Sequence, residues 1–111
     1  MAISTIGSAS INQSGDLTLC TTSGNLGLGV TPSAWGGYWK AVQLPNGVGL
    51  SNIAGINATY LSSNVVFAND QSGKYIASDY AGFYQQYSGQ HRWYNAPSGT
   101  AGNPITFTQA M

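Results

Sequence analysis

The sequence predicts an all-β protein with little or no helix, and three observations carry that reading. Helical faces are built mostly from Leu, Ala, Glu, Lys, Gln and Arg, yet glutamate is absent and Lys and Arg together number 3. The 15 Gly and 4 Pro are spread so evenly that few stretches of helical length escape one. What lies between them alternates apolar and polar residues over short runs, the period of a half-buried strand.

Taken in order, the first elements are a repeat. SGDLTL at Ser14–Leu19 is echoed by SGNLGL at Ser23–Leu28. In each, a Ser-Gly-Asp/Asn turn opens a strand, and leucines two apart share one face. Leu17 and Leu19 form one stripe, and Leu26, Leu28 and Val30 another. Gly27 and Gly29 leave the opposite face bare, open to close approach by a backbone or a ring. Pro32 ends this strand, and Gly36-Gly37 forms a joint beside Trp35, Tyr38 and Trp39. Lys40–Leu44 alternates, with Val42 and Leu44 on one face. Pro45-Asn46-Gly47 is a turn into a short strand with Val48 and Leu50 expected inward. Ile53–Ser63 shows no clean period.

The second half reads as two hairpins. Asn64–Asn69 and Lys74–Ser78 flank the turn Asp70–Gly73. Gly82–Tyr87 and Gln90–Asn95 flank Ser88-Gly89, a two-residue tight turn. That turn pairs Tyr87 with Gln90 and Phe83 with Tyr94. One face then holds Phe83, Gln85, Tyr87, Gln90, Arg92 and Tyr94, and the other Tyr84, Gln86, His91 and Trp93. Ala96–Pro104 is a loop, and Ile105–Met111 starts a last strand, expected to continue into a further repeat. The expected division is a shaft segment over 1–34 and a hairpin module over 35–111.

Charge narrows the function classes. Only 5% of the residues are charged, against about 25% in an ordinary globular chain. Lys40, Lys74 and Arg92 balance Asp16, Asp70 and Asp79 to a net charge of zero. Uncharged polarity stands in, as 13 Ser, 9 Thr, 9 Asn and 7 Gln. Three scattered cations cannot neutralise a phosphate backbone, so nucleic acid is not an expected partner. No basic amphipathic face or long apolar run favours membrane insertion. MAISTIG lacks the basic and apolar segments of a secretory signal. Cys20 is alone and reads as a small half-buried hydrophobe; with His91 it is too little for a metal site. A neutral chain has little electrostatic defence against self-association, which makes an obligate oligomer a natural reading.

Catalytic patterns are weak. Ser78, His91 and Asp79 could be nominated as a triad, but nothing in the sequence joins them and no G-x-S-x-G elbow is present. Glycosidases need two carboxylates about 5–9.5 Å apart, whereas Asp70 and Asp79 read as solvated turn residues. GNLGLG (Gly24–Gly29) lacks the Gly-Lys-Ser/Thr of a phosphate loop. No catalytic residue, metal ligand or cofactor is assigned. The sequons at Asn12 and Asn57 are what chance supplies in so Asn-, Ser- and Thr-rich a chain. Aromatic faces beside amides do suit carbohydrate, which pairs apolar ring faces with hydroxyl edges. Trp35, Tyr38, Trp39, Tyr84, Tyr87, Trp93 and Tyr94 are the candidate glycan contacts. The competing reading packs these rings between strands or subunits.

SGNLGLGVTPSAW (Ser23–Trp35), KYIASDYAGFYQQYSGQHRWYNAPSGTAGNPITFTQAM (Lys74–Met111) and the Ser-Gly-Asp/Asn-Leu repeat together resemble the distal repeat modules of bacteriophage tail fibres and tailspikes, which often precede an intramolecular chaperone. The resemblance spans most of the chain and is weakest between Val48 and Val66. It implies an elongated, intertwined homotrimer on a virion, made in the bacterial host cytoplasm, touching other fibre segments or virion proteins and a host-surface glycan or other receptor. In such a trimer Leu17, Leu19, Leu26, Leu28 and Val30 would line the shared axis. No catalytic motif of tailspike depolymerases is recognisable. The function expected is structural and adhesive; the alternatives are a monomeric carbohydrate-binding β-domain and, behind it, a polysaccharide depolymerase.

Overall fold

A computed structural model describes residues 24–111, and these are all-β apart from one short 3-10 turn. Nine strands form: β1 (Leu26–Gly27), β2 (Trp39–Leu44), β3 (Val48–Ile53), β4 (Ala58–Ser63), β5 (Val65–Phe67), β6 (Gly73–Tyr75), β7 (Ala81–Tyr87), β8 (Gln90–Ala96) and β9 (Thr108–Gln109). Seven build one sheet in the order β1-β2-β3-β4-β7-β8-β9, while β5 and β6 pair separately. Every pairing is antiparallel except β1 with β2. No helix among the described residues is long and apolar enough to cross a membrane.

The turns follow local chemistry. Asn46 and Gly47 both take positive φ in the turn Pro45–Gly47, a conformation that Asn and Gly tolerate best. Ser88 and Gly89 do the same between β7 and β8, the geometry of a two-residue hairpin loop. The register is the one the sequence predicts: Tyr87 opposes Gln90 and Phe83 opposes Tyr94. β5 and β6 form the other expected hairpin.

β1 departs from expectation. Leu26, Leu28 and Val30 do not share one strand, because the strand stops at Gly27 and residues 28–30 bend. A Cβ at Gly27 would stand 1.9 Å from the Val30 carbonyl oxygen, and Gly29 has φ +75°, so the chain folds back on itself there. Leu28 is exposed, and Leu26 and Val30 are half-buried. Leu17 and Leu19 lie outside the described residues. Residues 24–34 are fastened to β2. Asn25 Oδ1 accepts the Ala41 N–H at 2.8 Å, and Lys40 Nζ donates to the Gly24 carbonyl at 2.9 Å. Gln43, fully buried, accepts from Ser33 N–H at 2.8 Å and Trp35 Nε1 at 2.9 Å.

The core lies between the large sheet and the β5–β6 hairpin. Trp39 stacks on Phe67 at 4.7 Å, and Tyr60 meets the Trp39 edge at 5.0 Å. Trp35 leans on both Trp39 and Phe67. Trp39 Nε1 donates to the Ala68 carbonyl at 2.7 Å, so its one polar atom is satisfied.

These rings invert the expected parity of β3. Val48 and Leu50 point outward, and Gly49, Ser51 and Ile53 face the core. Large rings need small residues opposite them at interior packing density. A Cβ at Gly49 would already touch the Trp35 indole at 3.4 Å. Ser51 and Ser62 are small enough to fit, although their hydroxyls find no partner among the described residues. Val42 and Leu44 share the outer face of β2, with Trp39, Ala41 and Gln43 inside.

Asn64 joins the two layers. It is buried with φ +64°, at the step from β4 into β5. Its Nδ2 donates to the carbonyls of Ala77 and Tyr80, each at 3.0 Å, and its Oδ1 accepts the Ala77 N–H at 2.6 Å.

Candidate functional site

The seven aromatic candidates separate into four environments. Trp35 and Trp39 are core residues, so they are removed from the set of glycan contacts. Tyr38 is well exposed at the entry to β2, away from other rings. Tyr84 and Trp93 pair across the outer face of the sheet at 4.5 Å, with the Tyr84 hydroxyl bonded to His91 Nδ1. Tyr87 and Tyr94 lie on the inner face, beyond the end of the β5–β6 cover, where they line a cleft of about 330 Å³.

The cleft is built from parity and one distant segment. Phe83, Gln85 and Tyr87 of β7 and Arg92 and Tyr94 of β8 alternate onto the same side. Phe107 closes one wall from the segment before β9, and Gln71 reaches in from the β5–β6 loop. Phe83 stacks on Tyr94 at 4.5 Å and meets the edge of Phe107 at 4.9 Å. Arg92 lies over the Tyr87 ring at 5.3 Å, within cation–π range. Its Nε and Nη2 both donate to Gln90 Oε1, at 3.0 and 2.8 Å, which aims the guanidinium without neutralising it. Gln85 Nε2 donates to the Tyr60 hydroxyl at 2.8 Å. Burial raises the Tyr60 hydroxyl above the usual phenol range, a shift the Gln85 bond offsets in part. Tyr60 therefore stays a neutral phenol at physiological pH. A second, more polar hollow between the β3–β4 and β7–β8 turns shares Ile56 and Tyr87 with the cleft, so the two are contiguous.

Chemically, the cleft offers stacked ring faces, two amides and one guanidinium, with no carboxylate among its lining residues. The sequence places Phe83, Gln85, Tyr87, Arg92 and Tyr94 on one strand face. It misses Phe107, Gln71 and Ile56, which no local signal connects to that face. The nominated triad residues are engaged elsewhere. Ser78 Oγ accepts the Ala101 N–H, Asp79 Oδ1 accepts the Tyr80 N–H, and His91 meets Tyr84. Among the described residues no three His, Cys, Asp or Glu side chains gather as a metal set would.

The fold and cleft thus define a two-layer all-β domain with an aromatic, amide-bearing groove. No family model, curated protein or solved structure matches the chain.

Proposed function

We propose that the chain is a structural and host-attachment module of a phage tail fibre, elongated and trimeric when assembled, that holds a cell-surface glycan in the cleft of Tyr87, Arg92 and Tyr94. The cleft geometry carries the binding half of this reading. A pyranose offers apolar C–H faces to Tyr87, Tyr94 and Phe107 and hydroxyl edges to Gln71 and Gln85. With a guanidinium present and no carboxylate on the lining, an acidic sugar fits better than a basic one. Each site would bind weakly, and presentation on several copies would raise the avidity. The resemblance of Ser23–Trp35 and Lys74–Met111 to tail-fibre modules supports the virion setting and the trimer.

A glycan array probed with the full chain tests the binding half. Hits enriched in uronic or sialic acids, lost in Arg92→Ala and weakened in Tyr87→Ala, are expected. An array without hits, or hits indifferent to both changes, refutes it. One observation favours the alternative of a monomeric carbohydrate-binding domain: the aromatic core closes within a single chain. Light scattering after size exclusion separates the two, since a monomer that keeps its array hits supports the alternative.

A further inference from the structure

The outer face of the large sheet, opposite the cleft, carries an apolar row running across six strands. Leu26 opposes Val42, Val42 opposes Leu50, Leu50 opposes Leu61, Leu61 opposes Tyr84 and Tyr84 opposes Trp93. Leu44 and Val48 pair one step further along the same face. Leu44, Val48, Leu50, Leu61 and Trp93 each remain 41 to 50% exposed. With the partly exposed members of the row they leave on the order of 600 Å² of contiguous apolar surface in water, at the upper limit of what a monomer ordinarily shows.

Several features indicate what covers it. The alternation of Val42, Leu44, Val48 and Leu50 is the pattern a sequence reserves for a buried face, yet the single chain buries the other one. Among the described residues the face has no anionic side chain and a single cation, Lys40, held at its edge by the Gly24 carbonyl, so a charged partner finds little complement on it. A flat, neutral face has its best match in other flat, neutral faces. A second copy supplies one, and zero net charge removes the repulsion between copies. An area of about 600 Å² per chain, widened by the Asn52, Thr59 and Asn95 rim, approaches the roughly 800 Å² per partner of a stable interface. The edge strands β1 and β9 have two residues each, too short to favour edge-to-edge pairing instead.

We propose that copies of the chain meet through this face, with Leu50 and Leu61 at the centre of the contact. The proposal rests on the assembly half of the proposed function and adds the surface that performs it. It relocates the contact from the expected Leu26–Leu28–Val30 stripe to a row of which only Leu26 is shared.

The test is light scattering after size exclusion on the full chain, beside Leu50→Lys and Leu61→Lys. Both positions are exposed, so the variants keep the Trp39 near-ultraviolet signal and their glycan binding per chain. The expected result is a wild-type particle of three copies and a shift to monomer in each variant, with association weakened at least 100-fold. A second measurement stands independently of those variants. Pyrene attached at Leu61→Cys in a Cys20→Ser background should give excimer emission that vanishes on dilution below the association range. An oligomer unchanged in the Leu50→Lys, Leu61→Lys double variant and without excimer overturns the face and leaves the assembly reading intact. A wild-type monomer overturns both. A monomer that floats with phosphatidylcholine vesicles, or one whose face is shielded from exchange by residues 1–23, equally overturns it and identifies the other occupant.

Discussion

Replacing Asn64 separates two contributions that the fold places on one residue. Its side chain makes three short hydrogen bonds, two donated to the Ala77 and Tyr80 carbonyls and one accepted from the Ala77 N–H. Its backbone sits at φ +64°, where an ordinary L-residue is strained by roughly 1 kcal/mol or more. Each lost bond costs about 1 kcal/mol, more where the orphaned partner stays dry. Ala77 and Tyr80 are themselves exposed, so water recovers part of that loss, and the three bonds together are worth about 2 kcal/mol. Asn64→Ala therefore destabilises by about 3 kcal/mol, the strain included. Asn64→Gly escapes the strain and costs about 2 kcal/mol. This reverses the usual order, in which glycine is the worse strand residue. Urea unfolding followed by tryptophan fluorescence reads the difference: with a slope of about 1.3 kcal/mol/M, the alanine midpoint falls by about 2.3 M and the glycine midpoint by about 1.5 M. A glycine variant as unstable as alanine, or an alanine variant within about 1 kcal/mol of wild type, would refute the assignment of Asn64 as the tie between the layers.

Trp39→Ala should cost about 3–5 kcal/mol in the same assay, because it empties the centre of the core, whereas Trp93→Ala on the outer face should cost only about 1 kcal/mol, chiefly the lost cross-strand pair with Tyr84, and act on association. Gly99→Ala should destabilise by about 1–3 kcal/mol, since its Cβ would stand 2.2 Å from the Tyr75 ring and break the Tyr75 hydroxyl bond to the Pro97 carbonyl; a thermal melt checks it. Tyr60 is raised in the fold by burial, so its contribution is complete below the ordinary phenol range and lost as pH rises through the raised value; unfolding monitored from pH 8 to 12 should show that alkaline loss, shallower in Tyr60→Phe. Asp70 is held low by the Ser72 hydroxyl and N–H, so those bonds persist above the ordinary carboxylate range and fail only as pH falls through the lowered value, which the Ser72 amide shift will follow.

Features of short range were legible in the sequence. The Ser88-Gly89 turn and the pairing of Tyr87 with Gln90 follow from the two-residue spacing and from Gly89, which accepts positive φ freely and lets Ser88 be carried into the same region, and the absence of glutamate and the spread of glycine foretold strands in place of helices. The face holding Phe83, Gln85, Tyr87, Arg92 and Tyr94 was legible too, because side chains of a strand alternate strictly. That alternation defines two faces without saying which is inside. The tertiary structure decided it, by bringing Phe67 of β5 and the indole of Trp35 onto the sheet. Once those rings occupy the space, Gly49, Ser51 and Gln43 are the residues that fit beneath them, and Leu50 and Leu61 turn to the outside. The cleft likewise needs Phe107 and Gln71, which only chain closure carries to Tyr94 and Tyr87. By itself the sequence determined the strands, the tight turns and the neutrality of the chain, which are local or additive properties. Which side of each strand became core, and where aromatic and amide groups converge, depended on contacts between residues far apart in the chain, and packing volume settled them.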